Sequence, residues 1–514
     1  MRKIAALSLL AAAPFALAAA AFAEPAPQAN DPYFTAGQST LTARASVKPN
    51  KKRAKNVILF VGDGMDPTTV AASRIFDGQS RGEAGEENLL SFERFPYIAM
   101  SKTYTTSHQV ADSAGTMAAM MTGVKTKSGV IAVTDAAEYD NCKSGIGAKA
   151  LTVGELSEMA GLATGVVTTA RLTHATPANV YSHAASREWE SDADLSEEAK
   201  TNGCPDIASQ LIDFPYGDGL EVAMGGGRAY FMTAEEHDPE YPERSGRRRD
   251  GRDLTQEWTK KSANASYVWN KSDFSAIDPQ KTSHLLGLFE QSHMQYEADR
   301  EHDAAGEPSL AEMTTKAIDI LSQNKNGYFL MVEAGRIDHA SHAGNAARAL
   351  RDTQALSEAV AAARAHTKDA DTLIIVTADH GHTMTFAGYA KKGSNILGLA
   401  TASYEDENSD PDGHALALDG KPYTTLGYAN GPGSVFIGKT NDGGRPLVTD
   451  QEAADLNYRQ QSLTPFQGET HGGQDVLIFA DGPKAYLFGG VVEQNYIFHV
   501  INDALGLTTR AGRK

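Results

Sequence analysis

The segment Met331–Gly344 places acidic and histidine side chains directly after an apolar run. Glu333 closes the run, and Asp338, His339 and His342 follow it. Asp338 and His342 are four residues apart, so in a helical turn their side chains share one face and can bind the same metal ion. Glu333, at the end of a predicted strand, can serve a different ion. An acidic cap at a solvated helix start explains this segment alone equally well.

Two further apolar runs also end in acidic residues. The run that ends at Val61 leads to Asp63, and the run that ends at Thr377 leads to Asp379 and His380. The carboxyl ends of parallel strands meet along one edge of an open sheet, so we expect these acids to gather beside the first segment. Carboxylates held so close together would repel each other, and bound metal ions are the simplest explanation for their grouping. Mixed histidine and carboxylate ligands suit zinc, whereas oxygen ligands alone suit magnesium or calcium.

Ser113 is a candidate nucleophile. Asp112 and Ser113 precede a run of good helix formers that reaches Met121, which places Ser113 at a helix N-terminus. The common role of a serine there is to cap the helix. The chemical alternative is that backbone N–H groups and the helix dipole bind a phosphate, while a nearby zinc favours Ser113 as an alkoxide. Thr116, one turn inside the helix, is the weaker candidate.

The elements that must position these residues alternate between strands and helices. Helical patterns cover Glu312–Leu321 and Ala346–Ala363, between apolar runs rich in β-branched residues. This alternation predicts an α/β fold with a central, mostly parallel sheet flanked by helices. Because the pattern spans both halves without a linker, we expect one catalytic domain, residues 56–514, with insertions at about 230–310 and 390–465. The predicted strands are Val57–Val61, Thr164–Thr169, Tyr328–Val332, Thr372–Thr377 and Asp475–Ala480.

Residues 1–23 have the pattern of a signal peptide. Arg2 and Lys3 precede an apolar run, and Ala21-Phe-Ala23 provides a small-residue cleavage site. Residues 24–55, rich in Pro, Gln, Thr and Lys, lack periodicity and are expected to form an N-terminal arm. No other apolar run approaches the roughly 20 residues of a membrane span, and the C-terminal tail offers no lipid-anchor signal. We therefore expect an exported protein, periplasmic or secreted, without a membrane anchor.

The chain is acidic, with a formal net charge of −18, which becomes −20 once residues 1–23 are removed. An acidic protein is a poor generic binder of nucleic acids. The basic run Arg244–Arg249 is therefore expected to be a solvated loop, and Gly225–Gly227 a tight turn rather than a phosphate cradle. Histidines in polar segments are expected at the surface: His284, His293, His302 and His414.

Cys142 and Cys204 are the two cysteines. In an exported chain a disulfide between them is the expected arrangement. A zinc site made of two isolated cysteines is the less favoured alternative, because no C-x-x-C spacing is present.

The motifs that run from Phe60–Met65 to Glu469–Asp475 resemble the alkaline phosphatase family, and its animal-type branch more than the best-known enteric bacterial enzyme. They keep their order and internal spacing over nearly the whole mature chain. The resemblance implies hydrolysis of phosphate monoesters to an alcohol and inorganic phosphate through a covalent phosphoserine. It also implies two zinc ions, one magnesium ion and a homodimer.

Carried over residue by residue, the resemblance implies that Ser113 is the phosphorylated nucleophile and that Arg187 clamps the phosphate. His174 and His339 would support the metal ligands without binding a metal ion themselves. The two cysteines fall where the animal-type branch has a disulfide. The implied ligands are Asp338, His342 and His471 for the first zinc, Asp63, Asp379 and His380 for the second zinc, and Asp63, Thr176 and Glu333 for magnesium.

The resemblance also implies a fourth metal site, assigned to calcium. Glu240, the carbonyl group of Phe289 and the side chain of Glu290 match three of its ligands. The remaining family ligand is an aspartate, and Glu307 stands in its place here. Because its carboxylate reaches one methylene further, the geometry of this site is expected to differ.

Two other functions compete with the phosphomonoesterase. A phosphodiesterase or sulfatase of the same metal-dependent superfamily shares the sheet and two metals, but usually replaces the arginine clamp or uses another nucleophile. A periplasmic metal- or phosphate-binding protein would keep the ligands without turnover. The presence of both Ser113 and Arg187 favours the phosphomonoesterase.

Overall fold

The computed structural model describes residues 27–404, 406, 408–436 and 444–512. The predicted signal peptide, residues 1–23, lies outside the described residues. The chain divides into two compact units, Met1–Lys48 and Pro49–Lys514. The larger unit thus begins a few residues before the predicted start of the catalytic domain.

Strands and helices are numbered in chain order. The strands are β1 (Asn56–Gly62), β2 (Tyr97–Lys102), β3 (Ala163–Arg171), β4 (Val222–Gly226), β5 (Ala265–Val268), β6 (His284–Leu288), β7 (Tyr328–Ala334), β8 (Thr372–Ala378), β9 (Gly381–His382), β10 (Met384–Phe386), β11 (Leu426–Gly431), β12 (Ser462–Pro465), β13 (His471–Gly472), β14 (Val476–Asp481) and β15 (Val491–Glu493). The helices are α1 (Pro32–Ser46), α2 (Pro67–Ser80), α3 (Ser113–Thr122), α4 (Cys142–Gly147), α5 (Val153–Met159), α6 (Ala175–Tyr181), α7 (Glu197–Asn202), α8 (Ile207–Ile212), α9 (Leu254–Thr259), α10 (Lys271–Ala276), α11 (Leu310–Leu321), α12 (Arg336–His342), α13 (Ala346–His366), α14 (Asp450–Ala453), α15 (Tyr496–Leu505) and α16 (Leu507–Ala511). All five predicted strands are confirmed.

Within the described ranges, none of the helices combines the length and the apolarity that crossing a bilayer requires.

Ten strands form one central sheet in the order β15-β2-β14-β8-β1-β7-β3-β4-β6-β5. Neighbouring strands are parallel except at β14, which is antiparallel to both β2 and β8. The prediction of an α/β fold with a mostly parallel sheet is confirmed.

The central strands are buried on both faces, which explains their nearly continuous apolar sequences. In β1, alternate side chains enter two apolar clusters: Val57 and Leu59 belong to one, Ile58 and Phe60 to the other. Helices α3, α5, α6 and α15 contribute to the first cluster, and α11 and α13 to the second. Burial of each large apolar side chain stabilises the fold by roughly 1.5–3 kcal/mol. The two clusters therefore fix the positions of the central strands, and with them the positions of the strand ends.

Helices α11 and α13 begin at side-chain caps. The hydroxyl of Ser309 accepts the N–H of Glu312, whose carboxylate accepts the N–H of Ser309 in return. The side chain of Asn345 accepts the N–H of Arg348 at the start of α13. These local interactions fix where each helix begins, and the two helices then pack against each other.

The two predicted insertions differ in how they join the sheet. Residues 230–310 contribute β5 and β6, which extend the central sheet beyond β4. The described part of residues 390–465 carries β11 and β12, which form a separate sheet with β10. There His414, expected at the surface, is partly buried, and its ring nitrogens lie 2.9 Å from Asp410 and 2.8 Å from Asp450 at the start of α14.

Helix α1 lies within the predicted arm, where composition indicated no helix. Asp31 accepts the N–H groups of Tyr33 and Phe34, and Pro32 occupies the first turn, where its missing N–H costs nothing. None of the described side chains of this helix is buried. The cap residues, rather than hydrophobic periodicity, are the signal that locates it.

Two side chains expected at the surface are buried. The Arg248 guanidinium is fully buried and binds the Asp206 carboxylate at 2.9 and 3.1 Å and Asp250 at 2.5 Å. These carboxylates offset the cost of removing the charge from water. His284 begins β6 and packs edge-on against Trp258. The surface prediction is wrong for both, because a local charge pattern does not reveal partners that arrive from distant parts of the chain.

Cys142 and Cys204 form the predicted disulfide, which closes a loop with a sequence separation of 62. It joins the start of α4 to the residue after Gly203, the left-handed cap of α7. The N–H of Cys142 also donates to the Glu198 carboxylate at 2.8 Å. A bridge across a loop of this length stabilises the fold by about 4 kcal/mol, by reducing the entropy of the unfolded chain.

Replacing both cysteines, Cys142→Ser with Cys204→Ser, is expected to lower the free energy of unfolding by about 4 kcal/mol. The unfolded chain regains the freedom that the bridge removed. Urea unfolding followed by tryptophan fluorescence measures the change. Thiol reduction of the unchanged chain is the matched control and should shift the midpoint equally; an unshifted midpoint in both experiments would contradict the assignment.

Candidate functional site

Three neighbouring strands of the central sheet carry acidic residues at their carboxyl ends. Asp63 follows β1, Glu333 is near the end of β7, and Asp379 follows β8. Val61 of β1 pairs with Glu333, and the last residues of β1 and β8 pair with each other, so the three carboxylates lie at one level. All three residues are 0 % exposed. The predicted gathering of acids along this edge is confirmed.

Each of these carboxylates has one buried oxygen without a hydrogen-bond partner among the described residues: Asp63 Oδ2, Glu333 Oε1 and Asp379 Oδ2, the last of which lies 3.2 Å from His380 Nε2. The Thr176 hydroxyl on α6 likewise has no such partner. A buried polar atom without a partner costs about 1–3 kcal/mol, so four such atoms in one place indicate a site that binds a ligand. Burial, followed by neighbouring acids, raises the pKa of Asp63 well above its usual value, and burial raises the pKa of Glu333 to about 7. A divalent cation among them would reverse both shifts.

His342 and His471 present ring nitrogens to Asp338. His471 Nδ1 donates to the carbonyl oxygen of Ala111 at 2.7 Å, and His342 Nδ1 donates to that of Glu469. Since carbonyl groups only accept, both rings keep Nε2 for another partner. The two Nε2 atoms are 3.2 Å apart and lie 3.3 and 3.4 Å from Asp338 Oδ1. Against the effect of burial, Asp338 raises the pKa of His342, so a metal ion competes with a proton there. This donor set fits zinc.

His382 is a site residue that sequence reasoning missed. It is buried between Asp338 Oδ1, 2.9 Å from its Nε2, and Glu469 Oε2, 2.6 Å from its Nδ1. Burial opposes a charge on this ring, but the two carboxylates raise its pKa to about 10. His382 therefore donates from both nitrogens and fixes the orientation of Asp338. The available signal was its spacing from His380, because residues two apart in an extended segment share one side.

Two short strands align these histidines. β9 and β13 are antiparallel, with His382 opposite His471. The His380 ring stacks on that of His471, with centroids 3.6 Å apart. Gly64, at φ +69°, leaves room for this arrangement, because a Cβ there would lie 2.3 Å from the His382 ring. A side chain at position 64 would therefore displace His382.

Ser113 begins α3, as predicted, but it is not the cap. Asp112 caps the helix by accepting the N–H of Gly115 at 3.2 Å. The Ser113 hydroxyl therefore turns to the acidic edge, where Oγ lies 3.0 Å from His380 Nε2 and 3.4 Å from Asp63 Oδ1. The backbone N–H groups and dipole of α3 favour an anion at this point.

Arg187 lies beside the start of α3. One guanidinium nitrogen donates to Asp112 Oδ2 and another to His174 Nε2, each at 3.1 Å. Asp112 Oδ2 also accepts the N–H of Gly129 at 2.9 Å. Burial opposes the Arg187 charge, while Asp112 raises its pKa, so the group remains a cation. Its fork of N–H donors suits phosphate oxygens.

The structure brings both predicted supporting histidines beside the predicted ligands. His174 lies with Asp63 and Glu333 in a group whose donor atoms are within 4.8 Å of one another. Burial, followed by Arg187, holds the pKa of His174 well below its usual value, so the ring is neutral. Burial also lowers the pKa of His339 to about 3, and its Nδ1 is 3.1 Å from Arg336.

A cleft of about 400 Å³ opens beside the start of α3. Its lining includes His108, Val110, Asp112, Ser128 and His471. A larger cleft of about 760 Å³ lies beside α2, but its charged lining includes side chains already paired, such as Arg81 with Asp77 at 2.7 Å. The functional site is therefore identified by the metal- and phosphate-binding groups that converge beside the smaller cleft, and not by the volume of a cleft.

A second group of carboxylates converges within the segment 230–310. Glu240, Glu290 and Asp303 each place one oxygen within 4.8 Å of the others. Glu307, the residue indicated by the resemblance, instead accepts the N–H of Gln295 with both oxygens, at 3.0 and 3.2 Å. Burial raises the pKa of Glu307 to about 9. Asp303 Oδ2 is buried and has no hydrogen-bond partner in the described part of the chain.

Comparison with known proteins places this geometry in a family. A profile for the family described as alkaline phosphatase matches residues 54–507. The tissue-nonspecific isozyme of alkaline phosphatase from Gallus gallus is 42% identical over 481 residues, which cover 92% of this chain and 89% of the relative. Alkaline phosphatase from Gadus morhua is 42% identical over 471 residues, which cover 90% and 94%.

Solved structures share the fold. The alkaline phosphatase of the Antarctic bacterium TAB5 has a TM-score of 0.59 at 23% identity, covering 89% of this chain and 99% of its own. The alkaline phosphatase of Thermus thermophilus has a TM-score of 0.62 at 24% identity, covering 91% and 95%. The family profile and the curated relatives extend over nearly all of the larger unit, and the chain therefore belongs to the alkaline phosphatase family.

Proposed function

We propose that this chain hydrolyses phosphate monoesters through a covalent phosphoserine at Ser113. The observation that carries the proposal is the position of Ser113 Oγ, 3.0 Å from His380 and 3.4 Å from Asp63 at the N-terminus of α3. A hydroxyl there can attack phosphorus while the helix N–H groups and Arg187 hold the phosphate oxygens. Membership of a phosphatase family supports the reaction class.

In the proposed reaction, the Arg187 fork binds two oxygens of the phosphate dianion. Ser113 Oγ gives up its proton and attacks phosphorus in line with the ester bond; that bond breaks, and the leaving oxygen takes up a proton and departs as the alcohol. A water molecule then attacks the phosphoserine, and the bond to Oγ breaks to release inorganic phosphate. Asp112 supports both stages, because it holds Arg187 and caps the helix that presents Ser113.

The proposed centre holds two zinc ions and one magnesium ion. The buried oxygens without partners and the converging Nε2 atoms support it. When bound, these cations would stabilise the phosphoryl charge and lower the pKa of the attacking hydroxyl and water. His382 would keep Asp338 oriented, while His174 and His339 support neighbouring ligands. The proposed ligands are Asp338, His342 and His471 for the first zinc, Asp63, Asp379 and His380 for the second, and Asp63, Thr176 and Glu333 for magnesium.

A calcium ion is proposed for the second carboxylate group. Its donors are oxygen atoms, which calcium prefers. Glu240, Glu290 and the carbonyl group of Phe289 remain the proposed ligands. Asp303 is preferred to Glu307 as the fourth, because Asp303 Oδ2 is unused by the described residues and Glu307 already binds Gln295.

The proposal extends to location and partners. The mature chain would begin at Glu24, be exported to the periplasm or beyond, and act as a homodimer on small phosphate monoesters. The disulfide supports an oxidising compartment. Residues 56–514 would form the single catalytic domain.

Ser113→Ala is expected to lower kcat by at least about a thousandfold, because the covalent route loses its nucleophile. Steady-state hydrolysis of an aryl phosphate measures the loss, and acid trapping of labelled phosphate at Ser113 tests the intermediate. The matched control is Thr116→Val, which removes the neighbouring hydroxyl while keeping its shape and should retain activity. Undiminished hydrolysis by Ser113→Ala, or a preference of the unchanged chain for the diester, would contradict the proposal.

Chelation is expected to abolish activity, and zinc with magnesium should restore it. Ligand variants separate the ions: Glu333→Gln should lose magnesium and keep about two zinc ions per chain, whereas Asp63→Asn should lose magnesium and zinc together. Mass spectrometry of the metals in purified protein measures both. Equal losses in the two variants would refute the assignment of Asp63 as the bridging ligand.

Calcium is expected to raise the thermal midpoint of unfolding, because a bound ion stabilises the native state by mass action. Asp303→Asn should remove this calcium-dependent shift, while Glu307→Gln should retain it. Calorimetry with and without calcium makes the comparison. A shift that survives in Asp303→Asn and disappears in Glu307→Gln would favour the original assignment of Glu307.

A further inference from the structure

His293 was expected at the surface, yet its ring is half-buried beside the phosphate clamp. Its Nδ1 accepts the backbone N–H of Arg171 at 3.1 Å, and its Nε2 contacts the Arg171 guanidinium. Its ring centroid lies 4.0 Å from that of His339 and 5.4 Å from that of His174, and these two rings are 5.6 Å apart. The three imidazoles therefore form a closed triangle.

Gly226 leaves room for the chain segment that carries His293. Gly226 ends β4, within the glycine run expected to form a turn, and the segment with His293 crosses directly over it. A Cβ at Gly226 would lie 2.1 Å from the carbonyl oxygen of Ser292 and 3.0 Å from the nitrogen of Met294. The N–H of Met294 in turn donates to the carbonyl of Thr169 in β3 at 3.1 Å. Backbone contacts on both sides thus fix the position of His293.

The anchor of His293 is also held firmly. The Arg171 guanidinium binds the Glu190 carboxylate through two nitrogens, at 2.8 and 2.6 Å. Glu190 additionally accepts the hydroxyl of Thr173 at 2.5 Å. Arg171 is therefore fixed in place, and it holds the imidazole of His293 in one position.

We propose that His293 is a positioning residue for the phosphate clamp and acts on Arg187 through His174. This inference rests on the proposed role of Arg187. The Arg187 guanidinium makes two hydrogen bonds, to Asp112 and to His174 Nε2, each at 3.1 Å, and a longer contact of 3.9 Å with the exposed Glu188. The His174 ring is held by that hydrogen bond and by edge contacts with His293, at an interplanar angle of 82°, and with His339. Without His293, the ring of His174 keeps only one of its two edge contacts and is less firmly held, which weakens one of the two hydrogen bonds of the guanidinium.

The role of His293 is one of shape. Burial, followed by His339 and Arg171, holds the pKa of His293 below its usual range, so the ring is neutral. It adds no charge to the phosphate site, which Arg187 already supplies. Its removal should therefore affect how well the clamp is held more than the electrostatic potential.

The test measures competitive inhibition by inorganic phosphate in the metal-loaded enzyme. His293→Ala should raise the inhibition constant roughly three- to tenfold, with a smaller change in kcat, the size expected for a coupled residue that does not touch the ligand. His293→Phe keeps a ring against His174 and should stay within about twofold of the unchanged enzyme. His302→Ala, an exposed histidine further along the segment, is the control and should change nothing.

A double-mutant cycle with Arg187→Ala identifies the route. If His293 acts through Arg187, adding His293→Ala to Arg187→Ala should weaken phosphate binding no further. Two outcomes would overturn the inference without affecting the proposed role of Arg187. One is an additive effect of the two substitutions. The other is an inhibition constant that Arg187→Ala raises and His293→Ala leaves unchanged. No effect of Arg187→Ala would instead overturn the proposed clamp. Metal content and thermal midpoint are measured for each variant, and His293→Asn replaces His293→Ala should the latter not fold.

Discussion

The site depends on three carboxylates that the fold keeps buried and close together at the ends of adjacent strands. Asp63, Glu333 and Asp379 lie at one level of the sheet edge with no exposed surface. In protein surroundings alone, burial and mutual repulsion disfavour their ionised forms. Such an arrangement persists only because the apolar clusters on both faces of the sheet hold the strands in register, whatever the acids prefer. The stability of the core thus supports a site that is unfavourable in isolation.

The surrounding groups fix the orientation of the donor atoms. Carbonyl groups of Ala111 and Glu469 fix the ring nitrogens that His471 and His342 present. His382 joins the Asp338 carboxylate to that of Glu469. Each orienting contact comes from a segment distant in sequence, so the fold defines the donor geometry before any ion is bound.

The sequence predicted five of the strands, a mostly parallel sheet and the acids at three strand ends, because apolar runs and the alternation of strands with helices are local properties. It predicted the disulfide because two cysteines allow only one pairing. It missed His382, whose role follows from contacts with Asp338 and Glu469 that no local pattern shows. Arg248 and His293 were misjudged for the same reason: their surroundings come from other segments. Helix α1 was missed because its signal lies in its cap and not in an apolar stripe.

The placement of β14 affects when the enzyme becomes complete. This strand pairs with β2 and β8 in the interior of the sheet, although residues 476–481 lie close to the C-terminus. Until this late segment joins the fold, β8 has an unpaired edge and β2 lacks both of its partners, and exposed edges invite aggregation. His471 belongs to the same late segment, so the first proposed zinc site cannot assemble earlier. His471 lies only a few residues before β14, so docking of this late segment closes the interior of the sheet and brings His471 to the site in the same step.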